Sequence, residues 1–345
     1  MESFEPSESD YIRIVDILND KVSVGPKFVT VDITSVCNLN CIFCRSHSRF
    51  IKSFPLCEVR LDKALEAISS LVPLGLEEVN VSGDGEPTLH PQFSWFIQEL
   101  VKLKLRVNVF TNLTFKDESL LPVLASVESV VVNLSSFSNY KSIHGKDFAN
   151  QVLRNLVNLM TLMKSRENLH NGVDISFVLS RPNARYALEI SSLAKKLHIW
   201  IEFAIGGGEE LPNRLFFSFR DEFRPILEQV YEFYPDGTNA DWFIKEETSP
   251  LSFSRCFIGW FHCFIDVFGR MHFCCQHPDT QFGEWKGDVV EIWFLPQTHE
   301  KRKALTSFNP MNCKYCRYCA EALLLKWVDD VVAKSGMDDL FHLGN

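Results

Sequence analysis

The spacing of apolar positions between Phe28 and Ile205 alternates between two periods. Short runs rich in β-branched and aromatic residues predict strands at 28–34, 78–82, 106–111, 129–134, 173–179 and 200–205. Longer stretches with helical spacing separate them, near 61–71, 91–104, 148–164 and 184–197. In the third of these, Leu153, Leu156, Val157 and Met160 recur at i, i+3, i+4 and i+7, which predicts one apolar stripe laid against a sheet. Alternating strands and helices predict a parallel sheet, because each return to a parallel neighbour needs a long crossover. Six such strands predict a partial barrel rather than a closed eight-stranded one. Before them there is room for one short helix, about 10–19.

The run Gly206-Gly207-Gly208, followed by Pro212, ends the alternation. Residues 211–250 are rich in Phe, Tyr and charge and predict a helical bridge. Beyond Cys256 the composition shifts to Cys, Trp and Phe. There 263–266 and 271–274 predict a β-hairpin, with a turn at 267–270 around Gly269. The expected division is an N-terminal extension at 1–27, a partial barrel at 28–210, a bridge at 211–255 and a small Cys-rich domain at 256–345. The chain shows no internal repeat and no low-complexity segment.

At 345 residues and 46% hydrophobic content the chain can bury a large core. Its formal net charge of -9 argues against nucleic acid as a partner, since that affinity comes mainly from Lys and Arg displacing counterions. The start Met1-Glu2-Ser3-Phe4-Glu5 does not resemble a secretory signal. No apolar run approaches the roughly 20 residues that cross a bilayer, so a cytoplasmic location without membrane contact is expected. In that reducing setting eleven cysteines point to metal ligands or catalysts rather than disulfides. Three lie between Cys37 and Cys44, seven between Cys256 and Cys319, and Cys57 stands apart.

The first group, Cys37-Asn38-Leu39-Asn40-Cys41-Ile42-Phe43-Cys44, follows directly on the first strand. Three thiolates in one loop can hold three irons of a cubane cluster and leave the fourth iron open. Structural zinc instead takes four ligands in Cys-x2-Cys-like pairs. The loop offers three at unequal spacing, with His47 as a conceivable fourth that reads more naturally as solvated. After the second strand comes Ser82-Gly83-Asp84-Gly85-Glu86-Pro87-Thr88-Leu89-His90. Its glycines permit close backbone approach to a ligand, and its carboxylate can meet an ammonium. Its place at the carboxyl end of a strand is where parallel sheets bind ligands. Alone it is also readable as a glycine-rich turn.

These two motifs resemble the radical S-adenosylmethionine (SAM) superfamily, whose signature is CxxxCxΦC with an aromatic before the last cysteine, here Phe43. The resemblance implies an α/β partial (βα)6 barrel with a [4Fe–4S] cluster on Cys37, Cys41 and Cys44. SAM would chelate the open iron, and one electron would cut it to methionine and a 5′-deoxyadenosyl radical. The family's Gly-Gly-Glu-Pro stretch contacts the SAM amino group. Gly83, Gly85 and Glu86 carry that role over, whereas the inserted Asp84 has no counterpart. By the same resemblance Asn112, Asn133 and Ser135, near the ends of the third and fourth strands, would bind the SAM ribose or carboxylate, though each also reads as a turn or cap residue. His144 reads as a surface residue in a loop.

The pattern Cys256-(x12)-Gly269-(x4)-Cys274, with a distant Cys-x2-Cys, resembles the SPASM or twitch domains that follow many such barrels. It implies one auxiliary [4Fe–4S] cluster on Cys256, Cys274, Cys313 and Cys316. The Cys-x2-Cys-x5-Cys-x3-Cys arrangement of a full SPASM domain is missing, and zinc on the same thiolates remains open. Cys263, Cys275, Cys319 and Cys57 are then spare. Cys263, Cys274, Cys275 and Cys319 compete for the fourth ligand position, and Cys263, Cys275 or Cys319 could donate hydrogen to a substrate radical.

Taken together, the resemblance implies hydrogen abstraction from a carbon of a peptide or a sugar-like small molecule, in oxidation or epimerisation. It also implies an external one-electron reductant such as flavodoxin or ferredoxin. Other readings are an activating enzyme for a partner protein, a tRNA-modifying enzyme, which the charge disfavours, or a non-enzymatic iron–sulfur or zinc scaffold.

Overall fold

The computed structural model describes residues 5–164, 172–205, 211–212, 222–245, 252–308, 319 and 321–335. The Gly206-Gly207-Gly208 run, Cys313 and Cys316 lie outside these residues. Nine strands form one mixed α/β sheet in the order β6-β5-β4-β3-β2-β1-β7-β8-β9. The first six are β1 (Phe28–Asp32), β2 (Glu78–Ser82), β3 (Arg106–Thr111), β4 (Ser129–Asn133), β5 (Val173–Leu179) and β6 (Trp200–Ile205). They follow one another in chain order, with β3, β4, β5 and β6 paired in parallel. The chain divides into two compact units. One comprises 1–31, 60–79 and 247–345, and the other 32–59 and 80–246.

In the second unit, helices cover the strands of the repeated βα pattern. They include α3 (Phe93–Lys102), α4 (Leu120–Leu124), α5 (Tyr140–His144), α6 (Ala149–Lys164) and α7 (Ala187–Leu197). The middle residues of β4, Val130, Val131 and Val132, are all buried, as expected for a parallel strand covered on both faces. The stripe expected on α6 is turned from its predicted face. Leu156 and Met160 are buried, but Val157 is 44% exposed, and the buried face runs through Val152, Asn155, Leu156, Leu159 and Met163. The reason is Asn155, whose amide donates to the carbonyls of Leu113 and Phe115 and so pulls a polar position inward. Helices α8 (Arg224–Phe233) and α9 (Asp241–Ile244) occupy the stretch read as a helical bridge.

The first unit holds α1 (Glu8–Leu18), α2 (Leu61–Leu71), β7 (His262–Ile265), β8 (Arg270–His272), β9 (Gln281–Glu284), α10 (Val289–Phe294), α11 (Pro296–Thr306) and α12 (Ala322–Lys334). Strands β7 and β8 make the expected hairpin, pairing Phe264 with His272 and Ile265 with Met271. Gly269 turns it with φ +78, and the Asp266 carboxylate accepts the amides of Phe268 and Arg270. The hairpin also pairs with β1, running parallel to it with Phe28 opposite His262 and Val31 opposite Ile265. Arg302 braces this unit from within. Its guanidinium donates to the carbonyls of Gly259 and Trp293 and lies 4.1 Å from the Trp293 ring, while burial lowers its pKa to about 9.

His262 is enclosed beside β1, with Nδ1–H donating to the Phe273 carbonyl at 3.0 Å and Nε2 2.9 Å from the Thr30 hydroxyl. Burial drops its pKa from 6.5 to about 3. A histidine held neutral in the fold but free to protonate when unfolded leaves the unfolded state with more bound protons, so stability falls with pH between 6.5 and about 3. We expect His262→Gln to flatten the acid side of the stability profile, as read from urea midpoints at successive pH values.

Candidate active site

The cysteine loop leaves β1 and returns beside it. Ser35 N–H donates to the Cys57 carbonyl at 2.9 Å, Val59 N–H to the Ile33 carbonyl at 2.9 Å, and Cys57 N–H to Ser35 Oγ at 2.7 Å. The loop stem is therefore clamped, and Cys57 serves the clamp through its backbone. Cys37, Cys41 and Cys44 are half-buried free thiols within it. Hydrogens are aimed at their sulfurs: Leu39 N–H at Cys37 (3.5 Å), and Ser46 and His47 N–H at Cys44 (3.4 and 3.2 Å). Cys41 Sγ lies 3.3 Å from Nδ1 of His144.

Burial pushes the Cys37 thiol up to about 12, and burial followed by the charges of Cys44 and Cys37 pushes Cys41 well above the usual thiol range. Bound cations would offset the cost of the Cys37 and Cys41 thiolates, which burial disfavours. Soft sulfur donors with amide hydrogens already directed at them fit a metal cluster. Among the described residues, no three His, Cys, Asp or Glu side chains converge on a finished metal-ligand geometry. The imidazole of His47, conceivable as a fourth ligand, donates instead to the Ser35 carbonyl at 2.7 Å.

The loop after β2 lies against the segment that enters the cysteine loop. Gly85 N–H donates to the Thr34 carbonyl at 2.9 Å and Glu86 N–H to the Val36 carbonyl at 2.8 Å. A Cβ on Gly85 would come within 2.2 Å of the Val36 oxygen, and one on Gly83 within 2.6 Å of the Thr34 oxygen. Asp84, the residue without a counterpart in the resembled motif, accepts from Ser46 Oγ at 2.6 Å and from Arg45 at 3.2 Å, so it ties the far side of Cys44 to this loop. The Glu86 carboxylate is 2% exposed. Its Oε1 accepts from Thr88 N–H, Thr88 Oγ1 and Thr111 Oγ1, and its Oε2 from Asn112 N–H at 2.7 Å. Burial raises its pKa against the pull of these donors.

Asn112 joins the same network. Its Nδ2 donates to Asn38 Oδ1 at 3.0 Å, and its Oδ1 accepts from both groups of Thr114, while Asn38 Nδ2 donates to Thr114 Oγ1. Thus Asn112 holds the turn after β3 against the cysteine loop. Asn133 is half-buried at the end of β4. Ser135 is buried, with its hydroxyl accepting Val178 N–H at 3.1 Å and its own N–H donating to His144 Nε2 at 3.1 Å. His144 is not the surface residue its sequence context suggests. It is fully buried at the end of α5, edge-on to Phe43 and stacked on Tyr140. Burial lowers its pKa to about 3. In the sequence His144 reads as a surface residue, and Asn38, Thr88, Thr111 and Thr114 are not singled out. Only the Thr two residues after Glu86, inside the motif, gave a local signal.

In the other unit Cys256 is buried ahead of β7, and Cys274, half-buried just past β8, accepts Gln276 N–H at 3.4 Å. Burial, with the added charges of Cys274 and Cys256, pushes the Cys319 thiol well above its usual range, which groups these three sulfurs electrostatically. Cys263 is completely buried in β7 with its thiol pushed to about 12, whereas Cys275 is half-buried.

Residues 31–175 match the Radical SAM superfamily. The matched segment begins in β1, contains both loops and ends in β5. An uncharacterized protein of Methanocaldococcus jannaschii is 33% identical over 132 residues, 37% of this chain and 41% of that protein. The GTP 3′,8-cyclase of Synechocystis sp. is 28% identical over 185 residues, 50% of this chain and 52% of the cyclase. The match therefore spans about half, or less, of the length of these relatives. In fold the chain is similar to SuiB of Streptococcus suis bound to S-adenosylmethionine, with a TM-score of 0.67, 13% identity, and coverage of 90% of this chain and 75% of SuiB. SuiB has also been solved bound to its precursor peptide SuiA. No helix among the described residues is long and apolar enough to cross a membrane.

The contact between the two loops has a direct test. Gly85→Ala forces a carbonyl aside and is expected to cost about 1–3 kcal/mol in denaturant titrations. The control Gly287→Ala, whose Cβ would meet nothing within 4 Å, is expected to stay within about 0.5 kcal/mol.

Proposed function

We propose that this chain is a radical SAM enzyme in which Cys37, Cys41 and Cys44 hold a [4Fe–4S] cluster with one open iron. The observation that carries this reading is the set of amide and imidazole hydrogens directed at three thiols of one clamped loop, next to a glycine loop packed against its stem. When bound, the cluster and SAM supply reductive cleavage of a carbon–sulfur bond and a 5′-deoxyadenosyl radical that takes a hydrogen atom from a substrate carbon.

The chain's own residues prepare the place for that ligand. Gly83 and Gly85 let this loop's backbone approach that of the segment entering the cysteine loop. Glu86 Oε1 is occupied by three donors and Oε2 by one, which leaves an acceptor position on Oε2 for an ammonium group. Asn133, half-buried at its strand end, is the better placed of the polar candidates to meet a ribose. Asn112 and Ser135 act by fixing the backbone around it, and Phe43 packs the cysteine loop against His144.

The substrate class we favour is a peptide or a sugar-bearing small molecule, converted by oxidation or epimerisation. The precursor peptide of SuiB and the GTP named in the cyclase relative mark these two chemistries. An external one-electron reductant, of the flavodoxin or ferredoxin type, would supply the electron in a cytoplasmic setting. For the auxiliary site, the electrostatic grouping of Cys256, Cys274 and Cys319 favours Cys319 as a ligand rather than a hydrogen donor, alongside Cys313 or Cys316. Cys263 has no exposed surface with which to meet a substrate, so among the spare thiols Cys275 is the stronger donor candidate.

Anaerobically reconstituted protein, given SAM and dithionite, is expected to release methionine and 5′-deoxyadenosine. Cys44→Ser should reduce this to the level of iron-free protein, and undiminished product from it would refute the reading. Iron analysis should give about eight atoms per chain for two cubanes, and about four in Cys274→Ser. Only about four irons in the wild type would remove the auxiliary site, and about eight retained in the variant would remove Cys274 as its ligand, either result leaving the first site intact.

A further inference from the structure

We propose that His144 is a positioning residue that donates an Nδ1–H hydrogen bond to Cys41 and thereby raises the reduction potential of the cluster held by that cysteine. The inference rests on the preceding reading that Cys41 is a cluster ligand, and deepens it by naming what sets the cluster's poise.

The direction of the bond follows from a neighbour. Ser135 N–H points at Nε2 of His144 across 3.1 Å. A backbone amide can only donate, so Nε2 must present its lone pair and the ring hydrogen must reside on Nδ1. Nδ1 is the atom 3.3 Å from Cys41 Sγ. The tautomer is therefore dictated by the main chain of one segment and delivered to the sulfur of another.

The ring has no freedom to escape this role. It stacks on Tyr140 at 4.3 Å, meets Phe43 edge-on at 5.9 Å and has no exposed surface. The end of α5 that carries it is docked on the cysteine loop by Asn40 N–H to the His144 carbonyl (3.2 Å) and Ile42 N–H to the Ile143 carbonyl (2.9 Å). Gly145 closes the helix with φ +86, and a Cβ there would lie 2.1 Å from the Asn40 side chain. Imidazole and sulfur are thus held together from both sides.

A donor to a ligand sulfur stabilises the more negative, reduced cluster more than the oxidised one, which makes reduction easier. Cys37 and Cys44 receive such bonds from the main-chain amides of other residues, which substitution leaves in place. Cys41 receives its bond from a side chain, so here the effect can be removed.

The experiment is a redox titration of the SAM-free, reconstituted full chain, followed by the EPR signal of the reduced cluster. His144→Phe keeps a ring of similar shape without the donor. At a fixed poise its ratio of reduced to oxidised cluster is expected to fall about tenfold, a shift of about 59 mV for one electron. His144→Asn, whose amide can reach the Nδ1 position, should recover most of that loss. A His144→Phe potential equal to that of the wild type would overturn the inference. Should that variant fail to hold iron, wild-type protein carrying ring-15N histidine decides. Pulsed EPR should then detect a weak 15N coupling and an exchangeable proton at the reduced cluster, and their absence overturns the inference equally. Wild-type protein that assembles no cluster on Cys37, Cys41 and Cys44 would instead refute the underlying reading.

Discussion

The site depends on two backbones that touch. The loop after β2 can reach the entry of the cysteine loop only because Gly83 and Gly85 lack side chains, and two hydrogen bonds to the carbonyls of Thr34 and Val36 fix that approach. Once it is made, Asp84 is brought to Ser46 on the far flank of Cys44, and Glu86 is carried into the interior, where Thr88, Thr111 and the Asn112 amide receive it. A buried carboxylate is costly unless its oxygens are met by donors, and this one is met four times. The Glu86 network is thus the means by which the ends of β2 and β3 share one geometry with the loop that bears the thiols.

That arrangement separates residues that could touch a ligand from those that hold others in place. Asn112, Ser135 and His144 spend their polar atoms on neighbouring chain segments, and Asp84 turns Oδ1 to Ser46 and Arg45. Under the proposed function, what remains for chemistry is a small set: three sulfurs, the backbone of a glycine-bearing loop, one acceptor position on Glu86 and the half-buried Asn133. A site built mainly from main chain is rigid, because its atoms cannot change rotamer.

Much of this was legible in the sequence where the signal is local. The bounds of β2, β3, β5 and β6 agree with the hydrophobic pattern, since each is a run of apolar residues between turn formers. The two motifs are contiguous and declared themselves. By contrast β9 has one large apolar residue, Phe282, and a glycine whose Cβ would strike Ile292, so no alternation announced it. Helix α11 buries Thr298, Arg302 and Thr306, a polar face that hydrophobic periodicity cannot see. His144 is joined to Cys41 across 103 positions by the way α5 docks, and nothing in its neighbourhood marks it as other than a loop residue. The α6 stripe was misplaced for a related reason, because Asn155 is drawn inward by carbonyls some 40 positions away.

The pairing of β1 with β7 bears on how the polypeptide is made. Phe28 meets His262, so the contact closes a loop of roughly 230 residues, the kind of non-local closure that slows folding. During synthesis one edge of β1 stays unsatisfied until β7 has left the ribosome. A nascent chain stalled before β7 would expose that edge to other chains, and exposed edges invite aggregation.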